Sequence, residues 1–239
     1  MGDNPCIMQR MADHDALSRL HYELIQGLIG HGACPTISAL ARKLETSETE
    51  VQGLLRELAA IHGVVLQPHA CEPWVIHPFS LTPTINWIKG DASSWWAPCV
   101  WCAIGVTVLV GGSTQIHTRY GAEAEPLAIE VVNGRPLRED VWVHFAIPPA
   151  RAWDNVHQHC SLVLPFRSPV EVQDWCERHQ ITMGESVPLQ DVADLALHWY
   201  GTHASRRWRK WSVPEAQEIF SRVGLTSEFW QLRSRGSHF

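Results

Sequence analysis

The chain has 239 residues, of which 45% are hydrophobic and 18% charged, with a formal net charge of -6. That length can bury a substantial core as one large domain or two small ones. The acidic balance, with no charge run to offset it, excludes a general binder of nucleic acid or acidic membrane, which carries a basic surface.

Residues 1–12 have no periodic pattern and no basic region ahead of an apolar one, so they are expected to be a flexible terminus rather than a secretory signal. From Asp13 to Ile29 the apolar residues Ala16, Leu17, Leu20, Leu24 and Leu28 recur at helical spacing, and Gly30-His31-Gly32 ends the helix. A second helix fits Ile37 to Leu44. Thr46-Ser47-Glu48-Thr49-Glu50 caps a third that runs through Val51, Leu54, Leu55 and Leu58 to Ile61. Strand-like Val64–Leu66 and Trp74–Ile76 complete a winged-helix-like unit over residues 13–78. Such a shape suggests DNA binding, but the third helix carries Glu48, Glu50 and Glu57 against Arg56, the wrong sign for phosphate. A helical cap over a second domain is the better reading.

His77-Pro78-Phe79-Ser80-Leu81-Thr82-Pro83-Thr84 reads as a link into a second domain, residues 84–239. There Cys99 and Cys102 stand at the head of the longest apolar run, Val100 to Val110, which Gly111-Gly112 closes. The run is too short to span a bilayer. Read as a helix, it puts Pro98 in its first turn and both thiols near its positive end, which favours the reactive thiolate. The alternative is that two small apolar thiols simply pack in a core.

Strands are expected at Thr114–Arg119, Leu127–Val132, Val141–Ile147 and Cys160–Leu164, the last behind His157-Gln158-His159. Helices follow: Val170–Arg178 behind Ser168, amphipathic Leu189–Tyr200, and Val213–Val223 with Pro214 in its first turn. The fold class is therefore α+β, a winged-helix-like helical unit followed by a mixed β-sheet domain flanked by helices. Arg206-Arg207-Trp208-Arg209-Lys210 reads as a solvated basic connection. Seven cysteines, an odd number without framework spacing, fit free thiols in a reducing cytoplasm. Twelve tryptophans, clustered from Trp74 to Trp101 and from Trp199 to Trp230, are expected to pack or stack.

Trp101-Cys102-Ala103-Ile104 opening a buried helix, Cys160 ahead of Phe166-Arg167-Ser168, and Asp174-Trp175 in the next helix together resemble the alkylmercury lyase family. The resemblance covers most of the chain and implies that Cys102 and Cys160 are the pair that binds mercury and cleaves a carbon–mercury bond. Mercury is soft, and two thiolates bind it far better than oxygen ligands. The family's proton-delivering aspartate stands three residues after the helical cysteine, and here that position is Gly105, which can donate nothing. Tyr120 occupies a place where the family often has a further cysteine.

Cys99, three residues before Cys102, is expected to face the same side and to join Cys102 and Cys160, either as a proton-carrying thiol or as the third sulfur of a metal site. His157 and His159 flank Cys160 and either lower its pKa and relay protons or simply line a strand entrance. Cys-Val-Trp-Cys also resembles a thioredoxin-type motif, without the βαβ context that motif requires. Cys6, Cys34, Cys71 and Cys176 have no partner at ligand spacing.

Three functions follow: a carbon–mercury lyase needing no cofactor, with Cys99 or a histidine in the acid's place and mercury(II) as the product ion; a thiol-based protein sequestering mercury or copper; or an enzyme of the same fold with another small-molecule substrate. The mercury readings require the sulfurs of Cys102 and Cys160 to lie within roughly 4 to 6 Å.

Overall fold

The computed structural model describes the backbone from Pro5 to Leu232 and the side chains from Asp15 onward. Helix α1 (Pro5–His31) begins eight residues ahead of Asp13, so most of the segment expected to be a flexible terminus is helical backbone; residues 1–4 lie outside the described residues, as does the Cys6 side chain. Helices α2 (Ile37–Leu44) and α3 (Glu48–Ala60) follow. The Thr36 and Ser47 hydroxyls accept the N–H groups of Ala39 and Glu50, which satisfies two otherwise orphaned donors. A hairpin of β1 (Val65–Leu66) and β2 (Pro73–Ile76) closes this front unit.

Next come β3 (Phe79–Ser80), β4 (Asn86–Lys89), β5 (Ser94–Ala97), α4 (Val100–Val110), β6 (Ser113–Arg119), β7 (Pro126–Val132), β8 (Arg135–Pro136) and β9 (Trp142–Phe145). The chain continues with α5 (Val156–Ser161), β10 (Val163–Phe166), α6 (Pro169–His179), β11 (Glu185–Pro188), α7 (Leu189–Tyr200) and α8 (Val213–Arg222). Eight strands form one sheet in the order β1-β2-β3-β5-β4-β6-β7-β8, and three form another, β10-β9-β11. The α+β class holds, with sheets that are antiparallel rather than mixed: every pairing among the described residues is antiparallel, as the tight turns joining β4 to β5 and β7 to β8 require of those two pairs.

The stretch expected as a link is also more than a link. Phe79–Ser80 pairs with β2 on one side and β5 on the other, so the sheet runs unbroken from the front hairpin into the rest of the molecule. Helix α1 is fastened to the same body: the Trp95 indole N–H donates to the Leu28 carbonyl at 2.7 Å, and the Ser18 hydroxyl to the Trp208 carbonyl at 2.6 Å. One apolar core extends from Leu20 through α4 and α7 to Trp230, and a smaller one gathers Leu164, Phe166, Val172, Trp175 and Cys176.

Helix α4 lies at the centre of the large core, against the eight-stranded sheet and against α7. Its residues Val100 to Thr107 are all buried, which is why the run lacks a polar face. Pro98 does not sit in the first turn. Cys99 is the N-cap, with extended backbone, and its sulfur accepts the Cys102 N–H at 3.3 Å. Gly111, at φ 67°, ends the helix in a conformation that costs a residue with a Cβ. No helix among the described residues is long and apolar enough to cross a membrane.

Candidate functional site

Three elements far apart in sequence deliver the site. Cys102 comes from the first turn of α4, Cys160 from the last turn of α5, and His77 from the turn between β2 and β3. One ligand atom of each lies within 4.8 Å of the others, which meets the separation expected of Cys102 and Cys160. His77 Nε2 stands 4.0 Å from the Cys160 sulfur. Both cysteines are buried, and Cys99 beside them is buried as well.

Two sequence expectations change. Cys160 is not on a strand: Asn155 caps a short helix by accepting the Gln158 N–H at 3.1 Å, and β10 starts three residues after Cys160. Cys99 does not share a helical face with Cys102 by periodicity; it reaches the neighbouring thiols as the cap of α4, while His77 completes the group of three. Of the two histidines beside Cys160, His159 lines the thiol cavity, whereas His157 packs on the Trp74 ring at 4.2 Å.

The three sulfurs hold their protons unequally. Burial pushes the Cys102 thiol up, but hydrogen bonds from Cys160 and Cys99, the nearby His77 and the Tyr200 hydroxyl outweigh it, and its pKa falls well below the ordinary thiol value. Cys102 also sits in the first turn of α4, where unpaired N–H groups favour negative charge. Cys160 is held well above the ordinary value by its hydrogen bond to Cys102 and by burial, and Cys99 by burial and by its bonds to both neighbours. Of the three, Cys102 is therefore the thiol that gives up its proton most readily. His77, lowered to about 4 chiefly by burial, is a neutral imidazole with a lone pair available to a soft ion.

The thiols open on a cavity of about 50 Å³, walled by Trp101, Trp153, Trp199, Tyr200, His203 and Trp208. Trp101 meets Trp199 edge-on at 5.5 Å and Tyr200 at 5.7 Å. Lys210, expected as part of a solvated connection, instead buries its amine at this cavity, donating to the His62 carbonyl at 3.2 Å and lying 4.8 Å over the Trp153 ring. Burial lowers it to about 7. On its other side Cys160 borders a larger cavity of about 360 Å³, lined by Trp74, Thr84, Asn86 and His157 among others.

Sequence reasoning missed His77, which reads as part of a link, and Tyr200, which reads as the end of an amphipathic helix. Tyr200 lies on the last turn of α7 with its hydroxyl 3.4 Å from the Cys102 sulfur. Its ring fills the space beside Gly105, where a Cβ would fall 2.7 Å from Cε2 and 2.9 Å from Cγ of that ring. The one available signal was Gly105 itself, a residue that weakens a helix interior unless something packs against it.

The remaining thiols lie elsewhere: Cys34 and Cys71 donate to the carbonyls of Pro35 and Gln52, and Cys176 faces His144. Tyr120, at the position where the family often has a cysteine, lies buried beneath the Arg167 guanidinium at 4.0 Å.

No curated protein matches the chain. A solved structure described as the mercury-bound form of MerB2 shares the fold at a TM-score of 0.60 and 18% identity, over 81% of this chain and 92% of that one. The sequence model of alkylmercury lyase matches residues 79–201, just over half of the chain and the stretch that carries Cys102 and Cys160. His77 falls two residues ahead of that match, and on its extent the chain belongs to the alkylmercury lyase family.

Proposed function

We propose that this chain binds a small organomercurial through Cys102 and Cys160, with His77 as a third donor, and cleaves its carbon–mercury bond by protonolysis. The observation that carries the reading is the meeting of two buried sulfurs and an imidazole nitrogen within 4.8 Å at the wall of an apolar cavity. A soft cation takes sulfur and imidazole ligands in preference to oxygen.

The chemistry balances with the protons the thiols hold. The Cys102 thiolate displaces the counter-ligand of R–Hg–X and forms R–Hg–S. The Cys160 sulfur then bonds to mercury as the Hg–C electron pair withdraws onto carbon. That carbon takes up one proton and leaves as R–H, the Cys160 thiol loses one proton, and mercury(II) remains on two thiolates. Cys99 stays protonated, its sulfur accepting the Cys102 N–H. The largely aromatic wall lowers the local dielectric and so strengthens the electrostatics of every step.

Size narrows the substrate. A dry cavity of about 150 Å³ is enough to hold benzene; the cavity of about 50 Å³ shared by Cys102 and Cys160 favours methyl or ethyl over phenyl, while the one of about 360 Å³ on the other side of Cys160 has room for a larger group. The test is to incubate reduced protein with one equivalent of methylmercury and follow headspace methane together with protein-bound mercury. One methane released per mercury retained supports the lyase. Stoichiometric capture without methane identifies a sequestering protein instead, and no retention at all points to a different substrate on the same fold.

A further inference from the structure

The reaction needs a group that hands a proton to the departing carbon, and position 105 has no side chain with which to do it. We propose that Tyr200 is the catalytic proton carrier of this site, its hydroxyl delivering the proton to carbon and recovering one from the Cys160 thiol. This rests on the lyase reading above and supplies the step that reading leaves open.

Geometry singles Tyr200 out. Its hydroxyl stands 3.4 Å from the Cys102 sulfur, so a mercurial held on that sulfur brings its Hg–C bond beside the same O–H. Tyr200 and Cys160 line one cavity, so the carbon and the second thiol are on the hydroxyl's own side of the site. The ring is locked: it is 2% exposed, lies tilted at 50° to Trp101, and meets His203 edge-on at 5.1 Å.

Gly105 and Tyr200 also behave as a matched pair. Any side chain at 105 would start within 3 Å of three ring atoms, so the glycine is the condition for the ring to reach Cys102. A carboxylate carried by α4 and a phenol carried by α7 are thus alternative occupants of one space. In the step, the Hg–C electron pair takes the Tyr200 O–H proton to give R–H. The oxygen takes the Cys160 S–H proton as the S–Hg bond forms, and Tyr200 ends as it began.

The experiment compares the full-length wild type with Tyr200→Phe, Tyr200→Ala and the double variant Tyr200→Ala/Gly105→Asp. Two readouts are taken: methane released in a single turnover of bound methylmercury, and mercury(II) stoichiometry from thiolate–mercury absorbance. Tyr200→Phe keeps the ring and therefore the packing against Gly105. It is expected to bind one mercury(II) like the wild type while releasing methane about 100-fold to 10,000-fold more slowly, the range general acids supply. The double variant is expected to regain at least about tenfold over Tyr200→Ala, because a carboxyl then occupies the freed space.

Methane release by Tyr200→Phe at the wild-type rate overturns the assignment and leaves the lyase reading intact. Loss of mercury binding in Tyr200→Phe in step with the rate also overturns it, since the residue would then only shape the site. Absence of methane from the wild type overturns both.

Discussion

Among the described residues two cysteine–histidine pairs stand at nearly equal spacing, and only one of them has the makings of a reaction centre. Cys160 lies 4.0 Å from His77 Nε2, and Cys176 lies 3.9 Å from His144 Nε2. Burial holds both imidazoles down to about 4 and raises both thiols, helped at Cys160 by its bond to Cys102. The difference lies around them. His144 Nε2 already accepts the Gly184 N–H at 3.2 Å, and the pair is embedded in the smaller core with Phe166 and Trp175. His77 and Cys160 border a cavity and have Cys102 as a second sulfur donor. A thiol beside an imidazole is therefore no site by itself: a second sulfur and space for a substrate turn the same spacing into chemistry.

That contrast is broken most directly at the second sulfur. Cys102→Ser removes the thiolate that captures mercury, and its loss of mercury(II) affinity should exceed the roughly 10–100-fold that removing an outer partner of a metal ligand costs. Titration of the reduced variant against a competing thiol checks this, and affinity within tenfold of the wild type would show that Cys160 and His77 suffice. His77→Ala is a smaller blow. It leaves both sulfurs in place and should weaken affinity by less than Cys102→Ser does, whereas His144→Ala should leave mercury affinity unchanged.

The histidines become equal again when the measured quantity is stability toward acid. Each is held near 4 against an ordinary value of 6.5, so between those values the unfolded chain binds a proton that the folded chain refuses. Stability therefore falls as pH drops from 6.5 toward 4, by up to about 1.4 kcal/mol per pH unit for each histidine. Replacing either residue, His77→Asn or His144→Gln, should remove one share of that slope in denaturant titrations between pH 7 and 4.5. A flatter slope in only one of the two variants would mean that their environments differ already before any ion is bound.

The elements of this fold were legible where local signals agree. Helices at Ile37–Leu44 and Leu189–Tyr200 are found with those bounds because their periodicity and boundaries coincide. Cys102 and Cys160 stand out through a family resemblance, and their separation answers the expectation. Where local signals conflict, the reading fails. The apolar tail of Cys160–Leu164 suggests a strand, yet Asn155 caps a helical turn that carries Cys160 ahead of it. His77 was not legible at all and Tyr200 only through the gap that Gly105 leaves, since one is 25 residues before Cys102 and the other 98 after it, and only the packing of α4 against β3 and α7 brings them together.

The smallest expected effect tests the other half of the comparison. Cys176 is 5% exposed among Leu164, Phe166, Val172 and Trp175, and among the described residues it belongs to no group of ligand atoms that could share an ion. Cys176→Ala deletes one buried atom from a small core, a change that should cost on the order of 1 kcal/mol, as trimming a single core atom does. Gly184 still donates to His144 in that variant, so the surrounding backbone keeps its anchor. Mercury(II) stoichiometry and methane yield should both match the wild type, because the thiolate, the second thiol and the cavity are untouched. If the variant lost mercury along with stability, the His144 pair would have to be a second soft-ion site, and the distinction between a packed thiol and a reactive one would have to be drawn by something other than the company of a second sulfur.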